Sequence, residues 1–457
     1  MEGQVIDSRA AAVWGTGRTR TVRWWVWCVL IPCWCVSTAC SPLTEANAPD
    51  VVQQAALDNP AGAEVLRLGA LSRFMTAFAG SAELTQVTAS GLIADELFSA
   101  SIGSVTRVDQ RSLVEPVPAI YYPYQRLQQT HVNSLQAIDA LQRVSPARRV
   151  PIGQLFALVG YVELFLGENL CSGVPVSPVM DGIPTFGEPL STAQMFDRAV
   201  EHFDSALVYA SDSARISNLA RIGLGRVLLD AGRFDDAATA VAAVPTGYVY
   251  ATEHSASVQQ NGFFAAVNTQ KSFTVADREG VNGLDFVSGH DPRVPTALVG
   301  KGTDGTTNVY GFGRYGSAAS PVVLANGIEA RLIEAEAALH SGAAKQFLDD
   351  LNALRVDPAI RASYSIPAGT LPPLAQPASD NERADLLFRE RALWMFGTGH
   401  RQGDLRRLVR QYARPVESAF PAGTWKPGQA YGTDVTFPPD VGEPNNPLYR
   451  QCESRGA

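Results

Sequence analysis

His131, His202, His254, His290, His340 and His400 stand at least 36 residues apart. A locally built zinc site needs two ligands a helical turn or a short loop apart, as in HExxH or CxxC, and neither pattern occurs. No metal ion is therefore expected. There is no GxSxG turn to present a serine nucleophile. The run GFGRYG at 311–316 has the glycine spacing of a dinucleotide-binding turn. That turn must close a buried strand and open a helix, whereas this one leads into Ser317, Ser320 and Pro321. It reads as an aromatic loop, and no cofactor is expected. Carboxylates are plentiful, but nothing in the sequence sets two of them across a cleft for glycoside hydrolysis. These residues leave an enzyme possible and unsupported.

Binding chemistry concentrates between residues 246 and 321, where aromatic side chains sit among glycines and polar groups. Tyr248, Tyr250, Tyr310, Phe312 and Tyr315 lie there, and Trp425 has similar surroundings in the tail. Aromatic faces stack on ring-shaped ligands, and Asn308 and Arg314 can hydrogen-bond polar groups beside them. These eight residues are the candidate ligand surface. The competing reading is that such rings cap a hydrophobic core, which would move the site to Tyr121, Tyr122 and Tyr124.

The first 39 residues read as a secretory signal. Arg9, Arg18, Arg20 and Arg23 precede the apolar block WWVWCVLIPCWCV (24–36), which is too short to span a bilayer as a mature helix, and small residues follow. Thr38-Ala39-Cys40 resembles a bacterial lipoprotein box, with Cys40 the lipidated residue. Ser37-x-Ala39 also fits an ordinary signal peptidase, which would leave Cys40 unmodified. Five of seven tryptophans leave with this segment, so Trp394 and Trp425 remain. If Cys40 carries lipid, Cys171 and Cys452 are the two other thiols in an oxidising compartment, which favours a disulfide over two free thiols.

Helices must position all of this. Apolar residues recur at helical spacing over 62–78, 122–141 and 192–210, the last with Ser191 or Thr192 as cap, while 152–166 is apolar on most faces and belongs at the centre. Residues 216–245 give two Ala-rich helices meeting at Ala231-Gly232-Arg233-Phe234, a tetratricopeptide-type hairpin that needs stacked neighbours. Period is lost from 246 to 321, where loops and short strands are expected. Helices return at 326–340, 343–354 and 384–412, the last interrupted by a turn at Gly397 and Gly399. The Pro-rich stretch 366–377 links helices, and the tail from Pro415 is largely coil. Around the Gly397–Gly399 turn, Arg389, Glu390, Arg391, Arg401 and Asp404 read as an ion-pair scaffold, and Trp394 as core. A net charge of −8 argues against nucleic acid as a partner.

Four segments together resemble the SusD/RagB family of outer-membrane nutrient-binding lipoproteins. They are NGIEARLIEAEAAL (326–339) with LNALR (351–355); LFRERALWMF (387–396) with GHRQGDLRR (399–407); FPPD (437–440) with NNP (445–447); and GRFDDA (232–237) with GVP (173–175) upstream. The resemblance implies a mainly α SusD-like fold with tetratricopeptide-type hairpins. It would comprise a signal peptide (1–39), a lipid-anchored tether (40–60), a helical part (61–245), a loop-rich ligand-facing insertion (246–321) and C-terminal helices with a coil tail (322–457). It further implies surface binding of an oligosaccharide or similar nutrient, a lipid anchor in the outer membrane, and a TonB-dependent SusC-like transporter as partner. The alternative is a tetratricopeptide-type envelope scaffold that binds protein, which would hide its aromatics and present a concave helical groove.

Overall fold

Asn59 starts the first helix. Its side-chain oxygen accepts the N–H groups of Ala61 and Gly62 at 3.1 and 3.0 Å, and Pro60 has no N–H to satisfy. The computed structural model describes residues 57–81, 83–113, 118–180 and 183–457. The leader, Cys40 and the tether up to residue 56 lie outside the described residues.

Helices α1 (Pro60–Phe78), α2 (Gln86–Ile93), α3 (Pro118–Val144), α4 (Arg149–Asn169), α5 (Thr192–Tyr209), α6 (Ala214–Asp230) and α7 (Phe234–Val241) come first. Helices α8 (Gly327–His340), α9 (Ala344–Val356), α10 (Asp380–Trp394) and α11 (Arg401–Gln411) follow a strand-bearing region. Each element leans on the next: α1 on α3, α3 on α4, α4 on α5, α5 on α6, α6 on α7, α7 on α8, and α8 on α9. That succession is a stack of tetratricopeptide-type hairpins, and the protein is mainly α.

Helix α4 is long and apolar enough to cross a membrane, but it lies inside the fold. Its glycines explain how. Gly153, Gly160 and Gly167 recur every seven residues and so share one face. A Cβ at these positions would meet Ala210 at 2.8 Å, Phe203 at 2.9 Å and Phe196 at 2.4 Å, residues with the same seven-residue spacing along α5 and its cap. Phe196 and Phe203 fill the gaps the glycines leave. Ser191 caps α5 in a reciprocal box with Gln194, as its sequence implies. Phe234 plugs the α6–α7 turn, its ring stacked 3.9 Å from that of His340.

Strands β1 (Leu97–Ser99), β2 (Val249–Thr252), β3 (Phe273–Val275), β4 (Thr296–Lys301), β5 (Asn308–Phe312), β6 (Val322–Asn326), β7 (Thr424–Lys426) and β8 (Gln429–Ala430) form antiparallel two-stranded ladders. The pairs are β1 with β3, β2 with β6, β4 with β5, and β7 with β8. Thr274 Oγ1 also accepts the Tyr310 N–H at 2.8 Å, which ties β3 to β5.

The GFGRYG run is no open loop. It ends β5 and becomes a 3-10 turn, Gly313–Tyr315, with Phe312 and Tyr315 buried against Phe263 and Phe396. Between α10 and α11, Gly397 and Gly399 adopt φ of 70° and 77°, which no β-carbon tolerates easily. Around that break lies the ion-pair scaffold. Arg391 meets Asp404 at 2.9 Å, Arg407 meets Asp404 at 2.8 Å, Arg401 meets Asp95 at 2.5 Å, and Glu390 takes Arg293 and Arg355 at 2.6 and 2.7 Å. Burial works to raise the Asp404 carboxyl, and the Arg391 and Arg407 guanidiniums override it and hold it well below the usual range. Arg389 alone reaches outward, to Asp285 at 2.9 Å. At the end of α4, Cys171 is disulfide-bonded to Cys452, their Cα atoms 5.8 Å apart.

Candidate ligand-binding cleft

Alternation along β5 sets the geometry. Val309 is buried, so Asn308 and Tyr310, at the even positions, take the opposite face. Along β1, Leu97 and Ser99 are buried while Phe98 between them stays half-exposed. The β7–β8 hairpin then brings Trp425 to within 6.3 Å of Phe98, ring centre to ring centre, the planes tilted by 47°. Together with Tyr431 these rings line a cleft of about 330 Å³ whose polar wall is Asn308, Asp277, Arg278 and Glu279.

Trp425 is fixed from below. Its Nε1–H donates to Asp109 Oδ2 at 2.7 Å, and the Ser99 N–H donates to the same oxygen at 2.9 Å. Burial pushes the Asp109 carboxyl up to about 7, against the opposing pull of those two donors. Lys426 donates to the Ser99 carbonyl at 2.8 Å and lies 4.7 Å from the Trp425 ring centre. Glu279 has no partner on either carboxyl oxygen. Burial, reinforced by Asp109 and Asp95, pushes it well above the usual carboxylate range. The Tyr431 hydroxyl is buried without a partner and is likewise pushed up by burial. The floor therefore holds Glu279 and Tyr431, polar and without partners, beneath aromatic walls. Such a surface stacks on a ring and exchanges hydrogen bonds with hydroxyls.

Of the eight candidates, Asn308, Tyr310 and Trp425 come together here. Tyr248 and Tyr250 do not. Tyr248 Oη donates to the Arg215 carbonyl at 2.6 Å, and Tyr250 Oη accepts from Gln154 Nε2 at 2.9 Å under the Arg215 guanidinium, so both tie β2 to the helices. Phe312, Arg314 and Tyr315 line a different cavity, beside Trp394. Phe98 and Tyr431 were missed by sequence reasoning. Phe98 sits in an apolar-looking turn of sequence, and its partner Trp425 is 327 residues away.

No family model and no curated protein matches this sequence. Solved structures do. A SusD superfamily protein from Parabacteroides distasonis superposes with a TM-score of 0.64 at 12% identity, over 86% of this chain and 99% of that one. This chain has the SusD-like fold. A SusD superfamily protein from Bacteroides vulgatus gives 0.62 at 14% identity, over 87% and 100% of the two chains. A second structure from that organism, described as a SusD-like carbohydrate binding protein, gives 0.57 at 14% identity over 76% and 83%. Within the SusD-like fold, the cleft lies where β1, β3, β5 and the β7–β8 hairpin converge, outside the helical stack.

Proposed function

We propose that this protein is a cell-surface glycan binder that hands an oligosaccharide to a TonB-dependent SusC-like transporter, anchored in the outer membrane through lipid on Cys40. The observation that carries the reading is the cleft itself, with Phe98, Tyr310, Trp425 and Tyr431 set around Asn308 and the buried, unpartnered Glu279. The SusD-like fold supports it, as does the carbohydrate-binding description of one similar structure. The residues bind and orient; this is their part in the proposed function. The partly exposed aromatics beside polar side chains favour this reading over a protein-binding scaffold.

A glycan array followed by calorimetry on the chain from Ser41 tests it. Trp425→Ala and Tyr310→Ala should each weaken binding of the array hit several-fold, a stacking contact contributing roughly 0.5–1.5 kcal/mol beyond its area. Unchanged affinity in both variants with the fold intact would place the ligand elsewhere. Cys40→Ala should release the protein from membranes.

A further inference from the structure

Trp394 ends α10 at 2% exposure, and its Nε1–H has no acceptor. It lines a cavity of about 470 Å³ that no wall of the first cleft shares. The cavity lies between the Gly313–Tyr315 turn, β6, the segment 363–365 and the end of α10. Its walls hold no aspartate or glutamate, in a chain of net charge −8. Two arginines face it, and they differ. Arg293 lies 4.9 Å from the Trp394 ring centre and is already matched by Asp291 and Glu390 at 2.8 and 2.6 Å. Arg314 stacks on Tyr364, its guanidinium carbon 3.4 Å from the ring centre, and among the described residues it meets no carboxylate. Asn326 gives its side-chain oxygen to the Glu329 N–H at 2.8 Å, which leaves its NH2 as a further donor. The carboxyl whose field reaches Tyr315 is Glu96, and burial pushes it up to about 8. The cavity thus offers one uncompensated cation and aromatic walls, one of which is a tryptophan whose buried indole N–H has no acceptor.

We propose that this cavity is a second binding site, for the carboxylate of an acidic sugar. A planar carboxylate matches the guanidinium fork of Arg314 and accepts from Trp394 Nε1–H, and the sugar ring lies against Tyr364 and Trp394. One unmatched positive charge suits a monoanion better than phosphate. This site does not depend on the oligosaccharide reading of the first cleft.

Trp394 and Trp425 are the two tryptophans that follow the leader, so Trp425→Phe in the chain from Ser41 leaves Trp394 as the reporter. All of the hydrophobic core clusters among the described residues lie within that stretch. Sodium glucuronate, glucose and inorganic phosphate are titrated at constant ionic strength. A saturable change in Trp394 fluorescence with glucuronate, and not with the other two, is the expected result. Adding Arg314→Ala should weaken it about tenfold, the scale of a lost charge-assisted pair, and Arg314→Lys should recover part of it. Calorimetry on Trp394→Phe, which keeps a ring and loses the N–H, should show several-fold weaker glucuronate binding. No response to glucuronate, an equal response to glucose or phosphate, or full affinity in a folded Arg314→Ala variant overturns the proposal. Because Trp394 lines this cavity and not the first cleft, a change in its fluorescence that Arg314→Ala weakens belongs to this cavity.

Discussion

Asp109 shows how one buried side chain can tie the cleft to pH. In the unfolded chain its carboxyl ionises near the usual value, about pH 4. In the fold it holds its proton until about pH 7. Between those values the native state carries the extra proton, so stability falls as pH rises across the window, by about 1.4 kcal/mol per unit for one proton. Asp109→Asn keeps an oxygen for the Trp425 and Ser99 donors and removes the titration. Its melting temperature should drop less between pH 5 and 7.5 than that of the unaltered protein; Glu279, displaced in the same direction, keeps the remaining slope from vanishing. Identical drops would mean that Asp109 is ionised throughout. Nothing in sequence announces this residue, since Arg-Val-Asp-Gln is an ordinary surface-looking run. The ion-pair residues Arg391, Arg401 and Asp404 were legible because they cluster around one glycine turn. Arg391 and Asp404 pair with each other, but the more distant partners were not legible: Asp95 lies 306 residues from Arg401 and Arg293 lies 97 from Glu390, and side-chain pairing across such distances leaves no local mark.

Among the helices, small residues decide the packing. Gly160 on α4 faces Phe203 with no room for a Cβ, whereas Gly69 on α1 is exposed with nothing within 4 Å. Alanine is the better helix former at both positions. Gly69→Ala should therefore stabilise the protein by about 1 kcal/mol, and Gly160→Ala should destabilise it by about 1–3 kcal/mol through overpacking. Denaturant midpoints of the two variants check this, and a stabilised Gly160→Ala would mean that α5 can retreat freely. Period and capping made α1, α3, α5, the α6–α7 hairpin and α8 readable, because each has one apolar face or a capping residue at its start. Helix α2 was not, since it is buried along its whole length and shows no alternation. The region 246–321 was correctly expected to hold loops and short strands, but which of its rings turn inward depends on strand pairing that local composition does not encode.

Across the whole molecule, the tail is what closes the structure. Cys452 bonds to Cys171 across 281 residues, and the Cys171 and Ser172 N–H groups donate to Phe437 and Ser454 carbonyls at 3.1 and 2.9 Å. In the chain-entropy view so long a loop contributes at most about 5 kcal/mol. Cys452→Ser should lower the melting temperature and free one thiol for alkylation, read by intact mass; an unchanged melting temperature would assign the tail's hold to its hydrogen bonds instead. The β7–β8 hairpin belongs to this same tail, and it supplies Trp425 and Tyr431 to a cleft whose other walls come from residues 98 and 274–310. The cleft is thus completed last. A chain made from its N-terminus completes helices α1 to α11 before it makes the β7–β8 hairpin, so a product ending at Arg414 would lack the Trp425 and Tyr431 walls of the cleft.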